Sequence, residues 1–593
     1  MTPLPMHYPS SLFALVTAAI VGAWWWLGAA HPMPGAPVAP GEKLYCVSYA
    51  PFRGRQSPLE PATQIDPRQI EDDMVRLRRL TECVRTYSTR NGLDRVPEIA
   101  ERNGIKVIQG IWLGGDPAAA ERDIAVAIGL AKRFPEVIRS VVVGNEVLLR
   151  GEMTANGLAA SIRRVKAEIP QPVTYADVWE FWLRYREVYD AVDFVTIHIL
   201  PYWEDVPIPA RDAAAHVESI RRRMTAAFPD KEILIGETGW PSAGRMREGA
   251  LPSPVNQARV MHDVLNVARQ QNYRVNLIEA FDQPWKRRLE GTVGGHWGLL
   301  DADRREPKFA WGAPLSNHPH WRVQAAGGVA LAALVFGAAL AANRRTWRPD
   351  RRAFAVWLGV AAMALAPGIL IGWAVENVPL ESLSAGDWLR SLTMAALAIA
   401  APLIGAAALV RGETVPDFAR ILGPRTTRPK DALAVGLGLA LIVLCVVAVQ
   451  VALGLVFDPR YKDFPFAPLT AAAVPFLVLA QYRTGPSGTS VPIPEFANTG
   501  GTLSCELRNQ RDTSKSMILV PHLNPKFAIG LLARLCELRV RGTIAESVFA
   551  AVLAASAITI VLNEGFANWQ ALWLAAVLIG LALSLTRAQD APG

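Results

Sequence analysis

Apolar runs long enough to cross a bilayer divide this chain into three parts, and that division limits every fold open to it. Residues 11–30 form one run of about 20 residues, the length that crosses a hydrocarbon core of roughly 30 Å. Residues 43–315 read as soluble. The runs then return at about 322–342, 353–375, 388–410, 432–457, 464–481, 544–562 and 568–586. In hydrocarbon the backbone must satisfy its own hydrogen bonds, so such runs become helices. The expectation is one transmembrane helix, a soluble block, and an all-α bundle of about seven transmembrane helices. The length of 593 residues and the 51% hydrophobic content suit several domains rather than one soluble core.

Charge orients the spans. Arg344, Arg345, Arg348, Arg351 and Arg352 follow the second run, and Arg411, Arg420, Arg425, Arg428 and Lys430 follow the fourth. The alternate connections are poor in cations: 376–387 and 563–567 have none, and 458–463 has only Arg460 and Lys462. Lys and Arg collect on the cytoplasmic side. Residues 31–321 are therefore expected outside the cytoplasm, on the periplasmic or extracytoplasmic face of a cell inner (plasma) membrane. The net charge of +8 is read as a topology signal, with the lipid bilayer as partner and no nucleic acid. Residues 1–30 are read as an uncleaved anchor, because Met1–Ser10 lacks Lys and Arg and Trp24–Trp26 suits an interfacial belt; a cleaved signal peptide is the alternative. Residues 31–42 are a Pro-rich spacer. The membrane domain is placed at 321–586, with a cytoplasmic loop at about 482–543 that ends in a basic amphipathic helix, Lys526–Arg541. Few ionisable groups lie deep in the spans, which argues against an ion-coupled transporter. The five cysteines make no disulfide framework: Cys445, Cys505 and Cys536 are expected to stay reduced. Cys46 and Cys83 are read as two buried thiols, with a bridge as the alternative in an oxidising compartment.

Within 43–315 short apolar runs alternate with amphipathic segments. Strands are expected at 44–49, 84–87, 106–113, 138–143, 173–178, 194–199, 233–236 and 276–281, and helices between them. Eight such units over about 270 residues match a (β/α)8 TIM barrel in count and size. The rival, a doubly wound sheet, lacks a Gly-x-Gly-x-x-Gly after the first strand. Barrel chemistry sits at the C-terminal ends of the strands. Two apolar runs end there in Gly-x-Glu or Gly-Glu: Val141-Val-Val-Gly-Asn-Glu146 on strand 4 and Ile233-Leu-Ile-Gly-Glu237 on strand 7. They stand 91 residues apart, three βα units at about 30 residues each, which places both carboxylates on one rim. A carboxyl pair of this kind suits glycosidic cleavage, one group giving a proton and the other attacking the anomeric carbon. Asn145 is placed to bond a sugar 2-hydroxyl.

Val143-Gly-Asn-Glu-Val147 and Gly236-Glu-Thr-Gly-Trp-Pro-Ser242 resemble the two signature motifs of glycoside hydrolase family 17, the β-1,3-glucanases and related glucanosyltransferases. Val47-Ser-Tyr-Ala-Pro-Phe52, Val84-Arg-Thr-Tyr-Ser88 and Phe281-Asp-Gln-Pro-Trp-Lys286 agree, as does His296-Trp-Gly-Leu-Leu300. The resemblance implies a retaining mechanism with Glu237 as nucleophile and Glu146 as acid/base. It implies substrate contacts from Tyr49, Arg85, Tyr87, Tyr202, Trp240, Glu279 and Lys286, with no metal and no cofactor. The multi-span tail is similar to the membrane-attached bacterial branch linked to β-1,3/β-1,6-glucan synthesis. That adds transglycosylation to hydrolysis as the expected reaction, and a glucan synthase to β-linked glucan as an expected partner. A non-catalytic glucan-binding or export protein is the alternative.

Trp112, Trp179, Trp182, Tyr202, Trp203, Trp240, Trp285 and Trp297 are many rings for one barrel, and those just past strand ends (Trp112, Trp179, Tyr202, Trp240, Trp285) are the expected sugar platforms. The histidines lack metal-ligand spacing, so His198 is read as core or as a support to the site.

Overall fold

Strands buried on both faces read as continuous Val/Ile runs, and β4 (Ile138–Asn145) and β7 (Ile233–Thr238) do so because helices cover them outside and neighbouring strands line them inside. The computed structural model describes residues 8–343 except 40, residues 351–482 except 427, and residues 544–587. Eight parallel strands close into a barrel in chain order: β1 (Cys46–Ser48), β2 (Cys83–Arg85), β3 (Lys106–Ile111), β4, β5 (Val173–Val178), β6 (Val195–His198), β7 and β8 (Val275–Leu277). Closure is the pairing of β1 with β8, Val47 opposite Leu277. The (β/α)8 expectation is met in number, order and approximate bounds. β8 is the outlier: the chain leaves the ladder after Leu277, and Phe281 instead bridges Leu300. The outer helices start on side-chain caps. Asp66, Asp116, Thr154 and Ser253 each accept a backbone N–H, the first two and the last just ahead of a proline whose missing N–H costs the helix nothing.

The two-thiol reading of Cys46 and Cys83 is overturned: the two form a disulfide between β1 and β2. Val47 pairs with Val84, so the preceding residues of these parallel neighbours lie side by side, with Cα atoms 4.4 Å apart. Cys445 is a buried free cysteine.

Seven helices among the described residues are long and apolar enough to cross a membrane: Tyr8–Leu27, Trp321–Ala342, Phe354–Glu381, Ala385–Arg411, Ala432–Phe457, Ile544–Glu564 and Trp569–Thr586. The eighth expected span, Phe466–Gln481, is an apolar helix of 16 residues. At 1.5 Å per residue it is about 24 Å long, short for a lone crossing. It nevertheless runs the height of the bundle. Its start follows Asp463, which accepts from Thr292 of the barrel, and Tyr482 at its end donates to the carbonyl of Ala355, near the far end of its neighbour. The loop assigned to 482–543, its helix Lys526–Arg541, and Cys505 and Cys536 lie outside the described residues beyond Tyr482.

The barrel rests on this bundle. Arg287 donates to Pro379 O (3.0 Å), Arg245 to Lys462 O (3.0 Å), and Met246 N to Gln570 Oε1 (2.9 Å). The three cation-poor connections of the sequence are thus on, or beside, the barrel side of the bundle.

Candidate active site

Glu146 sits one residue past β4, at φ +52°. A side chain in the left-handed region is uncommon and is held only by its surroundings. Glu146 N donates to Ala176 O, Leu148 N to the Tyr175 hydroxyl, and Leu149 N to Asp177. Tyr175 in turn donates to Asp177, so β5 carries the device that shapes this turn. Glu237 lies within β7 and is nearly buried; the carboxyl of Glu146 is about a quarter exposed.

A carboxylate oxygen of each glutamate and a ring nitrogen of His198 lie within 4.8 Å of one another. His198, the last residue of β6, joins them: Nδ1 is 2.9 Å from Glu146 Oε1 and Nε2 is 3.6 Å from Glu237 Oε1. Of the two readings of His198, core or a support to the site, these contacts to both glutamates match the support. This donor set could ligate a cation, yet the Arg85 guanidinium already donates to Glu237 Oε1 at 2.8 Å and supplies the positive charge there.

The two carboxyls have unequal surroundings. Glu237 Oε1 accepts from Arg85 and from the Tyr87 hydroxyl (2.9 Å). Burial pushes its pKa up, but His198, Arg85 and Lys286 together outweigh burial and hold it below the usual carboxylate value. Arg85 also donates to Asn145 Oδ1 (2.5 Å), which turns the Asn145 amide nitrogen away as a free donor. Lys286 donates to Glu279 Oε1 at 3.1 Å. Burial nevertheless pushes Glu279 up to about 7, and it pushes Glu290, one turn into the helix Arg287–Gly294, up as well. Asp177 is likewise raised by burial to about 6.

Of the residues expected from sequence, Glu146, Glu237, Arg85, Tyr87, Asn145, Glu279 and Lys286 converge on this one end of the barrel. Tyr49, Tyr202 and Trp240 do not reach its open surface: all three are fully buried. Tyr49 donates to Asp73, Tyr202 to Arg245 O, and Trp240 Nε1 to Leu251 O, so their polar atoms are spent inside the wall. Their ring faces are covered by protein, so the expected substrate contact of Tyr49 and the expected sugar platforms Tyr202 and Trp240 are corrected to packing beneath the rim. Trp179 is almost buried, whereas Trp112 and Trp285 keep part of their rings open. Asp177 and Glu290 were not anticipated.

Residues 46–298 match the family described as the BtgE/BtgC glycoside hydrolase domain. The barrel is similar to the glycoside hydrolase domains of that family and of its relatives. The match does not extend into the helical bundle. A glucan 1,3-beta-glucosidase of Candida albicans is 27% identical over 261 residues, 40% of this chain and 85% of that protein. One from Saccharomyces cerevisiae is 26% identical over 252 residues, 39% of this chain and 80% of its own. Among solved structures, a family 17 beta-1,3-glucanosyltransferase from Rhizomucor miehei is 25% identical with a TM-score of 0.40, covering 46% of this chain and 98% of its own.

Proposed function

We propose that this is a membrane-bound retaining enzyme acting on β-1,3-linked glucan, with its barrel on the extracytoplasmic side. The observation that carries the reading is the pair of carboxylate oxygens within 4.8 Å in unequal surroundings. Retaining enzymes keep their carboxyls about 5–5.5 Å apart, too close for an intervening water. Glu237, kept ionised by Arg85, Tyr87 and His198, is the nucleophile. Its oxygen attacks the anomeric carbon while Glu146 delivers its proton to the glycosidic oxygen, which leaves with the bonding pair. The resulting glycosyl ester on Glu237 is then attacked by an acceptor hydroxyl whose proton passes to Glu146, and the carboxylate is released. Asn145 and Lys286 bind hydroxyls of the bound sugar. The printed activities of the relatives, cleavage at β-1,3 linkages and glucanosyl transfer, support the substrate class, and the disulfide suits an oxidising compartment. Outside the cytoplasm, where nucleotide sugars are not expected, transfer to a glucan hydroxyl is the way to form new linkages.

The test uses the full chain in detergent with β-1,3-gluco-oligosaccharides. E237Q is expected to lose both cleavage and transfer. E146A is expected to trap the glycosyl ester when the donor carries a leaving group that needs no proton, giving a mass increase on Glu237. Products longer than the donor mean transfer. If E237Q remodels glucan as fast as the parent, the protein is a binding or export module and the enzymatic reading is wrong.

A further inference from the structure

The contacts between barrel and bundle are not spread around the barrel. They come from the loops that follow β6, β7 and β8, on the same end as Glu146 and Glu237. Arg245, in the loop after β7, is buried, donates to the carbonyls of Pro459 and Lys462, and pairs with Glu564. Thr292, in the helix after β8, donates to Asp463 at 2.7 Å. Trp203, five residues beyond His198, has the Tyr461 ring 5.9 Å away and the Arg460 guanidinium 5.3 Å from its centroid. No hydrogen bond, ion pair or ring contact joins the loops after β1 to β5 to the bundle among the described residues. One sector of the active end is therefore walled by the membrane domain.

The wall has a definite side. Glu146 hands its proton to the leaving oxygen, so the departing sugar sits over Glu146 and over His198, which touches it. The acceptor later takes the same place, because it must reach the same proton carrier. The loop that leaves β6 at His198 and carries Trp203 borders that place, and the bundle connection 458–463 stands behind it. Arg460 is exposed and Tyr461 half-exposed there. A guanidinium offers several donors to sugar hydroxyls, and a phenol ring offers a flat face to a pyranose.

We propose that the 458–463 connection of the membrane domain is the acceptor-side end wall of the cleft, and that Arg460 and Tyr461 contact the sugar acceptor. The bundle is then part of the active site and not only its anchor. A glucan acceptor is held by its chain end, since a chain continuing past this sector would meet the bundle. Gly291, at φ +70°, keeps the wall seated: a side chain there would collide with the Tyr461 carbonyl.

This rests on the reading of Glu146 and Glu237 above, and the experiment separates the two. Full-length protein in nanodiscs is given end-labelled β-1,3-gluco-oligosaccharides, and products are sorted by length and linkage. R460A and Y461A, and the two combined, are compared with R460K and Y461W. The expected result is a several-fold fall in the ratio of transfer to hydrolysis and a higher acceptor KM, with partial recovery in the conservative pair. If water is the only acceptor used, the leaving group occupies the same place, and the alanine variants are expected to shift the position of cleavage along the labelled chain. Unchanged product ratio, acceptor KM and cleavage position, in variants that unfold at the parent temperature, overturn the proposal. If the parent protein itself neither cleaves nor transfers, the activity assignment fails instead, and the wall falls with it.

Discussion

Glu237 is held ionised by its neighbours, and that has a measurable consequence. Burial alone would raise its pKa; His198, Arg85 and Lys286 reverse the sign. Removing the charge of Arg85 or Lys286 must move the pKa back up. The nucleophile role proposed for Glu237 requires an ionised carboxyl, so the acid limb of kcat/KM against pH would mark that carboxyl in the free enzyme. In K286M that limb is expected at higher pH than in the parent, with activity falling off sooner on acidification; a limb that stays in place means that Lys286 does not govern Glu237. The residue pattern that located Glu146 and Glu237 was an apolar run ending in a carboxylate. Asp177 lies one residue before the end of β5, in Val173-Thr-Tyr-Ala-Asp-Val178, where Thr174 and Tyr175 break the apolar run and weaken the signal. Glu290 carried no such signal, because it lies in a polar helix and reaches the site only through the turn after Lys286. Tyr49, Tyr202 and Trp240 misled for the opposite reason. Position past a strand end puts a ring near the rim, but only neighbours far along the chain, such as Asp73 and Arg245, decide whether the ring faces outward or is packed under.

Elements were legible where periodicity was strong, and the pairing of neighbouring elements much less so. The helices Pro117–Arg133 and Pro254–Gln270 announce themselves by a capping residue, a proline and an apolar stripe. The β1–β2 bridge needed the register, which no local pattern carries. Its effect on stability follows from chain entropy. The bridge closes a loop with a sequence separation of 37. Restricting the unfolded chain over a loop of that size is worth about 3–4 kcal/mol. C46S/C83S is expected to lower the barrel's unfolding temperature by several degrees in non-reducing buffer. Added reductant should bring the parent down toward the variant. If the two unfold together without reductant, the bridge does not form in the protein.

At the scale of the whole molecule, hydropathy located the long apolar helices, and nothing in it announced where the barrel docks. The lock joins residues 319 positions apart, Arg245 and Glu564, each lacking a motif of its own. Both side chains are nearly buried, at 2% and 9% exposure. A buried pair of this kind costs desolvation when it forms, and its loss is felt mainly when one partner remains alone. R245M leaves Glu564 with Asn568 as its remaining donor, strips the carbonyls of Pro459 and Lys462, and is expected to destabilise the docked state by about 3–5 kcal/mol. R245M/E564L removes the stranded charge and is expected to recover a part of that loss, though not all, since the two carbonyls stay unpaired. Thermal unfolding of the parent, both single variants and the double variant closes the cycle. A coupling near zero would mean that the two groups do not meet. A large coupling, joined to altered products in R245M although Arg245 lies behind the rim, would tie the seating of the barrel on the membrane to the outcome of the reaction.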